Sequence, residues 1–432
     1  MAPLSTRKRA SAAKTTTSPP AGWTALVTGG SGFLGRHLVD ALLADGRYAT
    51  VRVFDVRDGG DGRVTTIVGD LREPASIRAA VAGVDVVFHC ATASPAAESA
   101  ANRGLMTAVN VGGTRNVIEA VVAASVPRLV FTSSASVVFD GCVFFSKRES
   151  ISVSLLTTFF TLSCLSRPIF FSRDLDGVNE SAPYARRPMD YYAATKIEGE
   201  KLVLAAAGRA LANGAGRLAV TALRPSGIFG EHDALLVPVA VAKARAGKMK
   251  YIIGSGGNLM DWTYAGNVAA AHVLADAALA ARGPRAAPAG RPYFITNGDP
   301  RPFWVFMGDL LAGLGYGRPH IKLPFYPLFL IASLAAWVTA ALRALGASIP
   351  PSDFTPARLR ICAATRRLSC AAAGKDFGYH PHKLVSIEEG LKRTVAFFPH
   401  LRADAGGVTG AGGSGGGGQA RAARAKGKKG GA

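Results

Sequence analysis

Acidic side chains are scarce in this chain. Only 29 aspartates and glutamates face 50 lysines and arginines, a formal net charge of +21 at pH 7. Residues 1–20 hold no acid but carry Arg7, Lys8, Arg9 and Lys14, and the far end sets Arg421, Arg424, Lys426, Lys428 and Lys429 among glycines and alanines. Segments so poor in large apolar side chains cannot offset the entropy of ordering, so 1–22 and 401–432 read as disordered basic tails. Their charge suits an anionic surface. No zinc spacing, RNA-binding aromatic signature or helix-turn-helix pattern goes with it, so no nucleic-acid partner is expected. A membrane leaflet is the expected surface, with a solvated, partnerless tail as the alternative.

Cysteine is rare as well. Cys90, Cys142, Cys164, Cys362 and Cys370 form no C-x-x-C pair and no disulfide framework, which fits a reducing compartment. The eight histidines make no metal pattern; His380 and His382 flank a proline and read as loop residues. The basic N-terminus lacks the apolar run of a signal peptide, so secretion is not expected; a transit peptide stays open, since the segment is rich in Ser and Thr. At 432 residues the chain is long enough for one large α/β domain with an appended lobe, or for two domains.

The clearest positive signal is Thr24–Gly46, TALVTGGSGFLGRHLVDALLADG. A short β-branched run leads into Gly29, Gly32 and Gly35, and a helical apolar pattern follows through Leu38, Val39, Leu42 and Leu43. Glycine is needed where backbone turns tightly, approaches a pyrophosphate and packs a helix on a strand; the helix N-terminus then offers N–H groups to the phosphates. Strand, turn and helix together make this a strong dinucleotide signal, with Phe33 and Leu34 inside the loop. Twenty residues past Gly35, VRVFD ends in Asp55. An acid there accepts from the adenosine ribose hydroxyls and repels a 2′-phosphate, which favours NAD; Arg57 nearby leaves NADP open. Strand-like runs at TTIVGD, VDVVFHCA and RLVFTSSASVV alternate with helical segments, the pattern of a doubly wound parallel sheet.

Further on, DYYAATKIEGEK places Tyr192 four residues before Lys196, on one helix face. Taken alone, that spacing suits packing as well as chemistry. Tyr191 is the rival phenol, but Thr195, four residues on from it, carries no charge.

With these motifs assembled, the chain resembles the extended short-chain dehydrogenase/reductase family. The matching stretches are TGGSGFLG at 28–35, GDL at 69–71, NVGGT at 110–114, FTSSAS at 131–136, and Tyr192 with Lys196. The resemblance implies a Rossmann fold, NAD as cofactor and a catalytic Ser134, Tyr192 and Lys196. Thr132 and Ser133 are adjacent alternatives to Ser134. It also implies that Asp70 and Leu71 meet the adenine and that Asn110 lies below the nicotinamide, a purely structural Asn110 being the alternative. Hydride transfer from an alcohol needs a base for the hydroxyl proton, and a free phenol with pKa near 10 is a poor one at neutral pH. On this reading the Lys196 ammonium and the positive nicotinamide ring favour the phenolate.

LRPSGIFG at 223–230, DWTYAGNVAAAHVLA at 261–275 and FGYHPHKLVSIEEGLKRTVAFF at 377–398 resemble the 3β-hydroxysteroid dehydrogenase branch, and within it the decarboxylating dehydrogenases of 4α-carboxysterols. That implies a sterol substrate, a homodimer as an open option, and the cytosolic face of the endoplasmic reticulum. Arg224, Tyr264 and Asn267 are then expected near the pocket mouth. Arg224 would pair with a substrate carboxylate or anchor a loop. The alternatives are an NADPH-dependent dihydroflavonol or cinnamoyl-type reductase, and a nucleotide-binding scaffold without turnover.

Two apolar stretches complete the sequence. Residues 323–342, LPFYPLFLIASLAAWVTAAL, carry no charge over a membrane-spanning length. Pro324 and Pro327 are expected to break its start, and the helix to dip into one leaflet; a full span and a buried roof over the pocket are the other options. The second stretch, Cys142–Leu175, separates Ser134 from Tyr192 as an insertion. A bilayer span there would put the two on opposite sides, and one sheet cannot be built across a membrane. It therefore reads as retained non-coding sequence, a lipid-facing hairpin or a disordered loop. The expected organisation is a tail at 1–22, an NAD-binding domain with substrate-lobe elements at 23–320, a membrane-associated helix at 321–348, the rest of a smaller substrate lobe at 349–400, and a tail at 401–432.

Overall fold

A computed structural model of the chain describes residues 22–93, 102–140, 174–350, 352 and 354–403. The two basic tails, apart from Gly22 and Leu401–Ala403, and nearly all of the 142–175 insertion lie outside the described residues.

The first half alternates strand and helix. Its elements are β1 (Trp23–Thr28), α1 (Phe33–Asp45), β2 (Tyr48–Asp55), β3 (Thr65–Val68), α2 (Pro74–Ala80), β4 (Val86–His89), α3 (Arg103–Thr107), a wide π-type turn at Ala108–Gly113, α4 (Thr114–Ala123) and β5 (Arg128–Thr132). After the insertion come β6 (Leu175–Val178), α5 (Tyr191–Ala205), β7 (Ala219–Pro225), β8 (Ile228–Phe229), α6 (Leu236–Arg245), β9 (Tyr251–Ile253), β10 (Leu259–Met260), β11 (Thr263–Tyr264), α7 (Ala265–Arg282) and β12 (Arg291–Ile295). The chain then runs through β13 (Arg301–Pro302), α8 (Phe303–Gly313), β14 (Ile321–Leu323), α9 (Phe325–Ala344), α10 (Pro356–Ala363), β15 (Arg366–Leu368), α11 (Ala371–Phe377) and α12 (Ile387–Phe397).

Seven strands form one parallel sheet in the order β12-β7-β5-β4-β1-β2-β3. The order reverses between β1 and β4, so the crevice beyond the C-terminal ends of those strands is where a doubly wound sheet takes its ligand. β4 and β5 are buried at every position, as central parallel strands covered on both faces must be. One face packs against α1, α7 and α11 through residues such as Leu38, Leu42, Val268 and Phe377. The other packs against α2, α4 and α5 through Ile77, Val117, Val121 and Val203.

A second lobe sits over the strand ends. Its four-stranded sheet has the order β13-β10-β15-β6, with Arg366 opposite Met260 on one side and Leu175 on the other. Leu175, the last residue of the expected insertion, thus opens a strand of this sheet. Aromatic packing fills the lobe: Trp262 stacks on Phe306 at 3.8 Å between ring centroids, and Phe229 meets Phe306 edge-on at 5.0 Å.

Among the described residues, helix α9 alone is long and apolar enough to cross a membrane. It is 20 residues long with a mean hydropathy of 1.8, yet only 11% of its apolar window is buried. Leu330, Ile331, Leu334 and Trp337 all face outward. The helix is therefore no roof over a pocket. Nor do the prolines delay it: Pro324 is the cap and Pro327 lies in the first turn, where a backbone N–H has no intrahelical partner to lose.

Candidate functional site

The glycine loop closes at the end of β1. Gly29 has φ +74°, and its N–H donates to Phe54 O at 2.8 Å, which ties the loop to β2. A Cβ on Gly35 would stand 2.1 Å from Gly29 O, so only glycine lets α1 start this close to the strand. Gly32 caps α1 without a side-chain hydrogen bond, leaving the first helical N–H groups free for an anion. This is a cradle shaped for phosphate, with Phe33 and Leu34 opening the helix behind it.

Asp55 ends β2 beside the loop and accepts from Ser31 N at 3.1 Å. The Arg57 carbonyl accepts from Ser31 Oγ at 3.1 Å, so this turn is fastened to the cradle. Asp70 takes a two-pronged hold from Arg72 at 2.8 and 2.5 Å, which keeps its carboxyl below the usual range. Leu71 is buried and its carbonyl accepts from Asn116 Nδ2 at 2.8 Å. These residues line one side of the strand-order reversal.

On the other side stands α5. Asp190 caps it, accepting from Ala193 N at 2.7 Å, and this sets which faces turn inward. Lys196, Gly199, Glu200 and Val203 all face the sheet and are buried. The Lys196 ammonium donates to Thr132 O at 2.8 Å at the end of β5 and lies 5.9 Å from the Tyr192 ring centroid. Burial pulls Lys196 down to about 8.

Tyr192 stands one turn before Lys196 on this helix. Burial pushes its phenol above the ordinary value, the nearby Asp190 carboxylate adds to this, and a hydrogen bond with Thr92 opposes it. In the free protein the phenol is neutral. The rival Tyr191 hydrogen-bonds Thr107 at 2.7 Å and stacks under the Arg103 guanidinium at 5.0 Å.

Asn110 lies in the π-type turn, a distortion that often marks functional positions. Its amide donates to Thr195 Oγ1 at 2.9 Å, and its oxygen accepts from Ala93 N at 2.7 Å and Thr92 Oγ1 at 3.0 Å. It thus joins α5 to the loop after β4, the loop that also holds Thr92 near Tyr192.

Three hydroxyls stand at the end of β5, and the structure separates them. Thr132 Oγ1 lies 2.8 Å from His272 Nε2 and 3.0 Å from Cys90 Sγ. Ser133 donates to the buried Glu200 carboxylate. Ser134 caps a short 3₁₀ turn and borders a cavity. Arg224 is not near a pocket mouth: it is 2% exposed and forms a buried ion pair with Glu200 at 2.5 Å. Tyr264 donates to Glu231 at 2.9 Å, and Asn267 is 1% exposed, donating to Asn297 Oδ1 at 2.9 Å and Val385 O at 2.8 Å. All three are fixed by protein partners. Sequence reasoning passed over Glu200, although its place four residues after Lys196 put it on the same inward face.

The sequence profile of the 3-beta hydroxysteroid dehydrogenase/isomerase family matches residues 26–154 and 168–325. Sterol-4-alpha-carboxylate 3-dehydrogenase, decarboxylating, of Mus musculus is 39% identical over 380 residues, covering 88% of this chain and 91% of that protein. The 3beta-hydroxysteroid-dehydrogenase/decarboxylase isoform 2 of Arabidopsis thaliana is 41% identical over 395 residues; this chain spans 62% of its length. Among solved structures, dTDP-glucose 4,6-dehydratase from Streptomyces venezuelae, with NAD bound, has a TM-score of 0.59 at 23% identity, covering 87% of this chain and 96% of that one. UDP-glucose 4-epimerase of Thermus thermophilus, also in complex with NAD, has a TM-score of 0.56 at 21% identity, covering 87% of this chain and 98% of that one. These two establish likeness of fold.

Proposed function

The chain belongs to the 3-beta hydroxysteroid dehydrogenase/isomerase family, and from that premise we propose that it oxidises the 3β-hydroxyl of a 4α-carboxysterol with loss of carbon dioxide. The observation that carries this reading is the meeting, at the strand-order reversal, of a phosphate cradle and a helix presenting Tyr192 and Lys196.

A dinucleotide suits this cradle: Gly29, Gly32 and Gly35 let the loop pack closely on itself and on α1, the N–H groups that Phe33 and Leu34 bring to the start of the helix would meet the pyrophosphate, and Asp55, fastened to Ser31 N, would meet the adenosine ribose. Asp70 and Leu71 would hold the adenine, and Asn110 would support the nicotinamide side of the site. NAD, when bound, supplies the acceptor for the hydride that leaves the carbinol carbon. NADP is the less suited cofactor, since Asp55 would repel a 2′-phosphate.

Tyr192 takes the hydroxyl proton. Its phenol is held high in the free protein, so positive charge arriving with the cofactor must favour the phenolate. Lys196, anchored on Thr132 O, holds the ribose side of the site and adds charge near the ring. Ser134 donates to the substrate oxygen. The product ketone lies β to the carboxylate, so the bond to the carboxylate carbon breaks with its electron pair passing to the ketone oxygen. Carbon dioxide leaves, and the resulting enol takes a proton at carbon. The chain need only make the ketone.

Helix α9 is proposed to lie in one leaflet of the endoplasmic reticulum membrane, on its cytosolic face. The segment after it packs back on the catalytic lobe: Val385 O accepts from Asn267, and Gly390 sits against Phe229 and Tyr264. A full crossing would strand that segment. Replacing Leu330, Leu334 and Trp337 with serine should release the protein from membranes, and unchanged sedimentation with microsomes would rule the helix out as the anchor. The activity itself is tested by incubation with NAD and a 4α-carboxysterol, scoring NADH and carbon dioxide, beside a dihydroflavonol control with NADPH. Turnover of the control alone would favour the reductase alternative.

A further inference from the structure

Charge is unevenly spread over the described part of the chain. The stretches 234–260 and 310–352 contain no aspartate or glutamate, yet together they carry seven lysines and arginines. The fold brings the two stretches together at the entry of α9. β9 pairs in parallel with β14, Lys322 opposite Ile252, and β14 runs straight into the Pro324 cap. His320 N donates to Lys250 O at 2.9 Å, and Gly254 N donates to Leu323 O at 2.8 Å. Lys248, Lys250 and Lys322 therefore stand on one short ribbon, or on the turn that opens it, at the foot of the helix.

All three lysines are exposed. None of them has an acidic partner among the described residues, whereas Arg318 beside them pairs with Asp309 at 2.5 Å and Arg245 donates to the Tyr316 hydroxyl at 2.9 Å. Lys250 rests over the Tyr251 ring, 5.2 Å from its centroid. The crowding is felt one layer in: burial holds Lys243 below the ordinary ammonium range, and the charges of Arg358 and Lys248 push it the same way. Like charges gathered on one face repel one another, so this face suits anions supplied from outside. What adjoins the lysines decides which anions. α9 leaves directly from them with Leu330, Ile331, Leu334 and Trp337 exposed. Tyr326, in its first turn and 68% exposed, has the apolar ring and polar tip that suit a headgroup boundary. Nucleic acid and acidic protein surfaces offer the anions without the apolar layer. A lipid leaflet offers both.

We propose that Lys248, Lys250 and Lys322 form a basic collar that binds the headgroups of anionic phospholipids, so that the chain docks on negatively charged leaflets in preference to neutral ones. The proposal rests on the placement of α9 in a leaflet. The helix supplies attraction to any bilayer, and the collar supplies the choice among them. Each lysine held near such a surface strengthens binding about fivefold, so the three together supply a preference on the order of 100-fold, weakened by added salt.

The test is flotation of the full chain with vesicles of phosphatidylcholine alone or of phosphatidylcholine mixed with phosphatidylserine. Lys248→Gln, Lys250→Gln and Lys322→Gln, made together, should weaken binding to the phosphatidylserine vesicles on the order of 100-fold. Binding to phosphatidylcholine alone and the melting temperature should hold. A tail variant with the same loss of charge, Lys426→Gln, Lys428→Gln and Lys429→Gln, should lose less. An equal loss from the tail variant would make net charge alone the cause and overturn the collar. A collar variant that keeps its preference for phosphatidylserine, or that loses both kinds of vesicle alike, would overturn it too. A duplex DNA fragment is the third arm: DNA binding lost from the collar variant, with the vesicle preference intact, would assign these lysines to nucleic acid instead. Wild type that floats with neither vesicle would overturn the placement of α9 itself.

Discussion

Glu200 and Arg224 form the most deeply buried ion pair at the site, 0% and 2% exposed. Arg224 Nη2 meets Oε1 at 2.5 Å and Nε reaches both oxygens at 3.1 and 3.0 Å. Ser133 and Tyr184, the latter at 2.8 Å, donate to the same carboxylate. Glu200→Gln keeps the shape and removes the counter-charge, leaving a buried guanidinium whose Nη1 already lacks a partner. Breaking a buried pair from one side costs about 3–5 kcal/mol. At roughly 2–4 °C per kcal/mol, the melting temperature should fall by about 6–20 °C. Removing both charges with Glu200→Met and Arg224→Met should recover much of that loss, since an apolar pair of similar volume is often neutral. Thermal melts followed by circular dichroism at pH 7 read both. A fall below about 2 °C for the single variant, or a double variant that loses as much as the two singles summed, would refute the reasoning.

Asp261 gives a pH prediction. Burial lifts its carboxyl to about 6, while the bond from Leu368 N and the charge of Arg367 oppose the rise. The fold therefore favours the protonated acid, and this contribution is present below the unfolded value near 4 and lost as pH rises through 6. Stability should fall by up to about 3 kcal/mol across that window, and Asp261→Asn should flatten the profile; an unchanged slope in chemical denaturation would contradict it. Gly35→Ala should abolish NAD binding measured by fluorescence titration, because the added methyl meets Gly29 O at 2.1 Å; retained affinity would mean the loop is not the phosphate cradle.

What could be read from the sequence was what is local. The glycine loop, the acid at the end of β2 and the Tyr192/Lys196 spacing each lie within one strand–turn–helix unit, where backbone sterics and helical period dictate the arrangement. The parallel sheet followed from the alternation of its elements. Partners far apart in the chain were not legible. His89 lies 2.7 Å from Thr28 Oγ1 and 3.0 Å from Thr114 Oγ1, across 61 and 25 positions, and Asn110 reaches Thr195 across 85. Whether Arg224 was free to meet a substrate was decided by Glu200, on a different element. The second lobe was expected, but its sheet was not legible, for a simpler reason. Its strands β10, β13 and β15 are two or three residues long, too short for any period to register.

The central claim is that the Tyr192 oxygen takes the substrate proton beside bound NAD. The direct measurement is single-turnover NADH formation from a 4α-carboxysterol by wild type and Tyr192→Phe, each shown by titration to bind NAD. The account predicts NADH and carbon dioxide in equal amounts from the wild type, and loss of both from the variant with NAD affinity retained. Equal NADH from the two proteins would contradict it.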